Sequence, residues 1–151
     1  MSDSVVAAEQ QRSLALHGVV ILFLGLLAGI GFSYAASTME VVDPAYGAWR
    51  FAHMEGILNG VLVLAVAGVW QRVNHAGKLI TLARIALVLG CYANIVGPLI
   101  NALFIGRRLI IPESGIEALV VYGFYIPGTL PLFSFAVFAL NLFRQRRNTL
   151  V

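Results

Sequence analysis

Charge is what this sequence has least of. Only 11% of its 151 residues are Asp, Glu, Lys or Arg, and 60% are hydrophobic. Soluble domains carry roughly 25% charged residues, so a chain with mean hydropathy +0.88 is not a water-soluble globular domain. Cysteine is nearly absent as well. Cys91 stands alone in an apolar run, which excludes a disulfide framework and a paired-cysteine metal knuckle. No Ser-His-carboxylate set, phosphate loop, EF-hand or HExxH string occurs, which argues against hydrolase and nucleotide chemistry. No repeat or low-complexity segment interrupts the pattern. The first apolar run is too long for a signal peptide and no Ala-x-Ala site follows a short core, so no cleaved leader is expected. The net charge of +3 and pI near 9.4 do not imply nucleic acid, because the bases cluster at the ends of apolar runs.

What is abundant is long hydrophobic runs. A bilayer core needs about 20 apolar residues per helix, and the chain offers four such spans, at about 14–35, 46–70, 79–104 and 116–143. Together they predict one all-α membrane domain over 1–151, a four-helix transmembrane bundle. Met1 to Arg12 is a polar lead-in, either amphipathic or disordered. Asp43-Pro44 is a helix-start signal for the second span. Pro127 and Pro131 should bend the fourth, and the carbonyls they free must find partners on neighbours or water. Four crossings leave both termini on one side, which holds Arg12, Arg72, Lys78, Arg84, Arg144, Arg146 and Arg147. The opposite side holds only Arg50, Arg107 and Arg108, so the positive-inside rule places both termini in the cytoplasm.

The chain is organised around Ala48 to Gly60, which packs Arg50, His53, Glu55 and Asn59 into the start of the second span. Ionisable groups entering a membrane are expensive and face a protein interior or a cavity. His53 shares a helical stripe with Gly56 and Gly60, which leaves a flat slot beneath the imidazole. That slot suits either a neighbouring helix or a planar cofactor. Two readings of His53 therefore stand: a histidine bonded inside the bundle to Glu55 or Asn94, or an axial haem ligand, with Arg50, Arg107 and Arg108 as candidate propionate partners. His17 lies near the cytoplasmic end of the first span, far from His53, so no trans ligand is evident and the iron would be five-coordinate.

Asn59 follows His53 by six residues, roughly 120° around the helix and ~9 Å along it. The two groups point to different faces. A site using both would take His53 from one subunit and Asn59 from the next, a head-to-tail contact that closes into a ring. Alternatively Asn59 is an interhelical hydrogen-bonding residue. Glu55 is a rival acid or base, or a salt-bridge partner of Arg50 or Arg108. Gly90, Asn94, Gly97 and Asn101 form a second small-and-polar stripe, and both asparagines read first as packing groups. Tyr92, Tyr122 and Tyr125 read first as core or interface aromatics, any one of which can donate to a substrate oxygen. His75 falls in a turn and is expected to be solvated. Gly18, Gly25 and Gly29 form a smooth stripe on the first span.

Trp49–Gly60, reading Trp-Arg-Phe-Ala-His-Met-Glu-Gly-Ile-Leu-Asn-Gly, resembles the second-helix signature of the styrene oxide isomerase family. Leu16–Gly18 and Tyr92–Asn94 resemble its weaker motifs in the first and third spans. The resemblance implies a small four-helix protein of a bacterial inner membrane, assembled as a trimer with haem b between subunits. It implies isomerisation of a small lipophilic epoxide, an aryl one by the family pattern, to an aldehyde by Lewis-acid ring opening and a hydride shift. His53 then takes the place of the iron ligand and Asn59 that of a substrate-orienting amide. The family's tyrosine shortly after the third-span Ala-Asn is missing, since Ile95-Val96-Gly97-Pro98-Leu99 stands there, and Tyr92 or Tyr125 is the expected substitute. A haem-binding electron carrier or sensor, and a cofactor-free membrane bundle, are the alternatives.

Overall fold

A computed structural model describes residues 3–73, 77–107 and 111–148. Helix α1 (Asp3–Thr38) is followed by α2 (Pro44–Val69), a 3-10 turn (Trp70–Arg72) and α3 (Lys78–Phe104). The fourth segment runs through α4 (Gly115–Val120), a π turn (Val121–Tyr125), a 3-10 turn (Pro127–Thr129) and α5 (Leu130–Asn148). Among the described residues, four helical segments are long and apolar enough to cross a membrane: Ser4–Thr38, Pro44–Arg72, Lys78–Phe104 and Gly115–Arg147. The all-α four-span architecture is thus the one the apolar runs predict.

The lead-in departs from its expected boundary, because α1 is already helical from Asp3. Its glutamines have work at the far end of α2. Gln11 Nε2 donates to the Ala67 carbonyl at 3.0 Å, and Trp70 Nε1 donates to Gln10 Oε1 at 3.2 Å. At the other end of α2, Asp43 accepts from the Ala45 amide at 2.8 Å with Pro44 in the first turn, as the Asp-Pro pair predicts.

The closest helix pair is α1 with α2, and glycine makes it so. A Cβ on Gly60 would lie 2.6 Å from the Leu22 amide nitrogen, and one on Gly56 would run into the Gly25 backbone. Gly18 faces Leu64 in the same seam. Such contact lets backbones approach in a solvent where burial of apolar area drives nothing. A core of Leu14, Ile21, Val63, Trp70, Leu87, Ile95 and Phe138 fills the bundle toward the terminal end.

The fourth segment is broken rather than merely bent. Pro127 and Pro131 lack N–H donors, and the chain compensates by changing its winding. Ile126 N–H reaches back five residues to the Val121 carbonyl at 3.0 Å, and Thr129 N–H reaches three to Ile126 at 3.0 Å. The Gly128 carbonyl takes its hydrogen from Asn94 Nδ2 on α3, at 3.1 Å. The small-residue stripe of α3 seats this break: Gly90 lies under Pro131, and a Cβ on Gly97 would lie 2.6 Å from Phe124 Cβ.

Candidate functional site

His53 is half-buried on the α1-facing side of α2. Its Nδ1 lies 2.9 Å from the Gly25 carbonyl of α1. A carbonyl only accepts, so Nδ1 carries the hydrogen and Nε2 of the neutral ring carries the lone pair. No protein group among the described residues engages Nε2. The ring fits there because Gly29 has no side chain: a Cβ at that position would be 2.9 Å from the imidazole. Phe32 stacks on the same ring, with centroids 5.9 Å apart and planes 20° apart. A backbone carbonyl orienting Nδ1–H is the usual support for a histidine whose Nε2 binds a metal. The bonding of His53 to Glu55 or Asn94 is not what forms.

The slot beside His53 is filled by α1. Gly56 and Gly60 meet Gly25 and Leu22, so these two glycines join helices and do not floor a cofactor pocket, a correction to the planar-cofactor expectation. Arg50 is exposed on α2, three residues before His53. Arg107, the other described candidate for a propionate, is paired within the chain. Its guanidinium is held by Glu117 at 2.9 Å and Glu113 at 3.0 Å, and the Glu113 amide donates to Glu117 at 2.6 Å. Arg108 and His75 lie outside the described residues.

Asn59 is 6% exposed and belongs to another face of α2. Its Nδ2 donates to the Glu55 carbonyl at 2.9 Å and to Glu55 Oε2 at 2.8 Å. Its Oδ1 accepts from Asn94 Nδ2 at 3.1 Å, and that same nitrogen serves Gly128. Two backbone carbonyls, at Glu55 and Gly128, fix both amide orientations in the chain. Glu55 is thus tied to Asn59, and its expected salt bridge to Arg50 does not form. A substrate oxygen reaches an Asn59 N–H only by displacing Glu55. Within one chain, His53 and Asn59 are not brought together, as their helical spacing predicts.

The two candidate tyrosines separate. Tyr92 meets His17 on α1, with its hydroxyl 3.1 Å from Nδ1. His17 precedes Gly29 by twelve residues, ~18 Å along the helix, so Tyr92 does not share a site with His53 of the same chain. This distance also removes His17 as a trans ligand from the same chain. Tyr125 instead lies against Gly97 of α3, 3.3 Å from where a Cβ would stand, and accepts from Asn101 Nδ2 at 3.3 Å. Tyr125 and Asn101 line a cavity of about 620 Å³ together with Gly47, Ala48 and Phe51 of α2, and Arg107. Sequence reading missed this cavity. The signal available was Asn101 closing the α3 stripe, but only the broken fourth segment brings Tyr125 opposite it.

No group of three His, Cys, Asp or Glu residues suited to a metal ion occurs among the described residues. A haem iron asks for less: one imidazole with a defined tautomer meets its need on the protein side. On that test the His53 surroundings fit the cofactor. Comparison with known proteins bears on the family rather than on the cofactor. A family model described as styrene oxide isomerase matches residues 10–143. A styrene-oxide isomerase of Pseudomonas fluorescens is 30% identical over 96 residues, and the match covers 56% of this chain and 56% of that relative.

Proposed function

The chain belongs to the styrene oxide isomerase family, and from that premise we propose that it is a membrane isomerase converting a small lipophilic epoxide, of the aryl class, to an aldehyde. The observation that carries the cofactor side of this reading is the 2.9 Å bond from His53 Nδ1 to Gly25, which leaves Nε2 as the ligand atom for haem b. Arg50, exposed nearby on α2, is the cation for a haem propionate. When bound, a ferric haem supplies a Lewis acid for opening a strained C–O bond.

The chain's own residues do the rest. Gly25 holds the imidazole in one tautomer and one orientation, and Phe32 packs its face. The apolar setting keeps water away, so the carbon that loses its oxygen bond is not trapped as a diol. A hydrogen then moves with its electron pair to that carbon and the carbonyl forms; no atom or electron enters or leaves. Asn59 orients the substrate oxygen through its amide, with Glu55 yielding that position.

His53 and Asn59 occupy different faces of α2, which supports a homo-oligomer in which adjacent chains complete each site. A trimer is the assembly the resemblance implies. Both termini face the cytoplasm of a bacterial inner membrane on the charge count given above. The test is direct. Membranes carrying the protein, loaded with haem and given styrene oxide without an electron donor, yield phenylacetaldehyde. Recovery of unchanged epoxide or of diol alone contradicts the assignment.

A further inference from the structure

Arg84 is a cation inside a span, and no described residue offers it an acid. Helix α3 is 27 residues long, which is ~40 Å at its rise per residue, against a hydrocarbon core of about 30 Å. Arg84 stands six residues after Lys78, ~9 Å along the axis. With the helix centred on the core, its backbone lies ~4 Å below the hydrocarbon edge, at the end of α3 that shares a side with both termini. A guanidinium at that depth is costly, and arginine answers by reaching for the headgroups. Arg84 is half-buried. Its Nε is enclosed by protein without a hydrogen-bond partner, whereas its two Nη groups are not enclosed and meet no acceptor among the described residues. The inner edge of the fork is packed, and its outer donors are open to a ligand.

The neighbours of Arg84 set the chemistry of that ligand. Thr81, Arg84, Val88 and Tyr92 follow one another at three- and four-residue steps and share one stripe of α3. Thr81 is exposed, with no partner for its hydroxyl among the described residues, and the other three are half-buried. The stripe runs inward to Tyr92, whose hydroxyl meets His17 of α1. From the membrane surface inward it presents a hydroxyl, a guanidinium, an aliphatic side chain and a ring, the polar-to-apolar order of a phospholipid. A guanidinium fork matches a phosphate with two parallel hydrogen bonds. Bases also outnumber acids at this end, with Arg12, Arg72, Lys78, Arg144, Arg146 and Arg147 against Asp3 and Glu9, which favours a lipid of net negative charge. We propose that this face of α3 binds one anionic phospholipid of the leaflet on the termini side. Arg84 and Thr81 hold its phosphate, and an acyl chain lies along Val88 and Tyr92. This site is separate from the His53 centre and does not rest on the isomerase reading.

The probe is phosphatidylglycerol, titrated into delipidated full-length protein and followed by native mass spectrometry. One lipid per chain should be retained, at a concentration about tenfold below that needed for diacylglycerol with the same chains, the discrimination that charge-assisted hydrogen bonds to phosphate give. Phosphatidylcholine should fall between the two. Arg84→Gln should lose the advantage over diacylglycerol, and Arg84→Lys, which keeps the charge without the fork, should recover part of it. Arg147→Gln, at the same end but outside the stripe, should retain the lipid as wild type does. Should Arg84→Gln fail to fold, the ranking of the three lipids on the wild-type protein decides alone. Equal retention of phosphatidylglycerol and diacylglycerol would overturn the proposal. So would displacement of the lipid by an equal concentration of inorganic phosphate, which would mark a site for a free anion. A changed oligomer distribution in Arg84→Gln with lipid retention unaltered would also overturn it, by assigning the guanidinium to a carboxylate of a second copy. His53→Ala should retain the lipid as wild type does, so a failure here is distinct from a failure of the isomerase assignment.

Discussion

At the scale of single residues, the account turns on how two neighbours on one helix are held differently. His53 is steered by one backbone carbonyl and keeps a nitrogen that no described residue engages, whereas Asn59 is tied on three sides. His53→Ala should therefore lose haem and turnover together, read as the Soret absorbance and aldehyde formation of the same preparation. Asn59→Ala should keep the Soret band and lose most turnover. It also leaves Asn94 and Glu55 with unmatched groups, at a cost of about 1–3 kcal/mol that a thermal melt should register. Loss of the Soret band in the asparagine variant would make it a structural residue. The importance of both positions was legible in the sequence, because polar groups in an apolar span demand partners. Which partners they take was not. The Gly25 carbonyl carries no sequence signal, and the register of α1 against α2 decides that it meets the imidazole.

At the scale of elements, glycine and proline positions explain most of the architecture. The sequence left the slot beside His53 open to a helix or a flat cofactor, and the α1 backbone fills it at Gly56 and Gly60. Gly56→Leu must push α1 away or move its own backbone. Overpacking of this kind costs about 1–3 kcal/mol, and here it also breaks the Gly25 hydrogen bond. The variant should melt lower and bind haem more weakly than wild type, measured by thermal unfolding and by titration. A melt identical to wild type would show that the seam is looser than described. The two prolines of the fourth segment predicted a bend with freed carbonyls. The stepped sequence of π and 3-10 turns was not readable, since it depends on Asn94 standing opposite Gly128. Asn94→Leu should raise hydrogen exchange around residues 126–132 and leave α1 and α2 protected. Uniform exchange across the bundle would contradict a local role.

At the scale of the whole molecule, four crossings put both termini on one side of the membrane. Tags at the two ends should become accessible to protease together, from the cytoplasmic side by the charge asymmetry; opposite accessibility would break the four-span topology. Span number and approximate limits were plain in hydropathy alone, because each run far exceeds what a surface helix tolerates. The cavity between α2, α3 and the π turn was not, since it forms from residues on separate segments that no periodicity links. On the proposed reading, in which adjacent chains complete each site, a variant that stays monomeric should bind haem poorly and turn over little. The most direct test of the central claim is a haem titration of the purified protein beside His53→Ala, followed in the Soret region. The account predicts a saturable band in the wild type and none in the variant; no saturable band in the wild type, or one of equal amplitude and position in both, would contradict it.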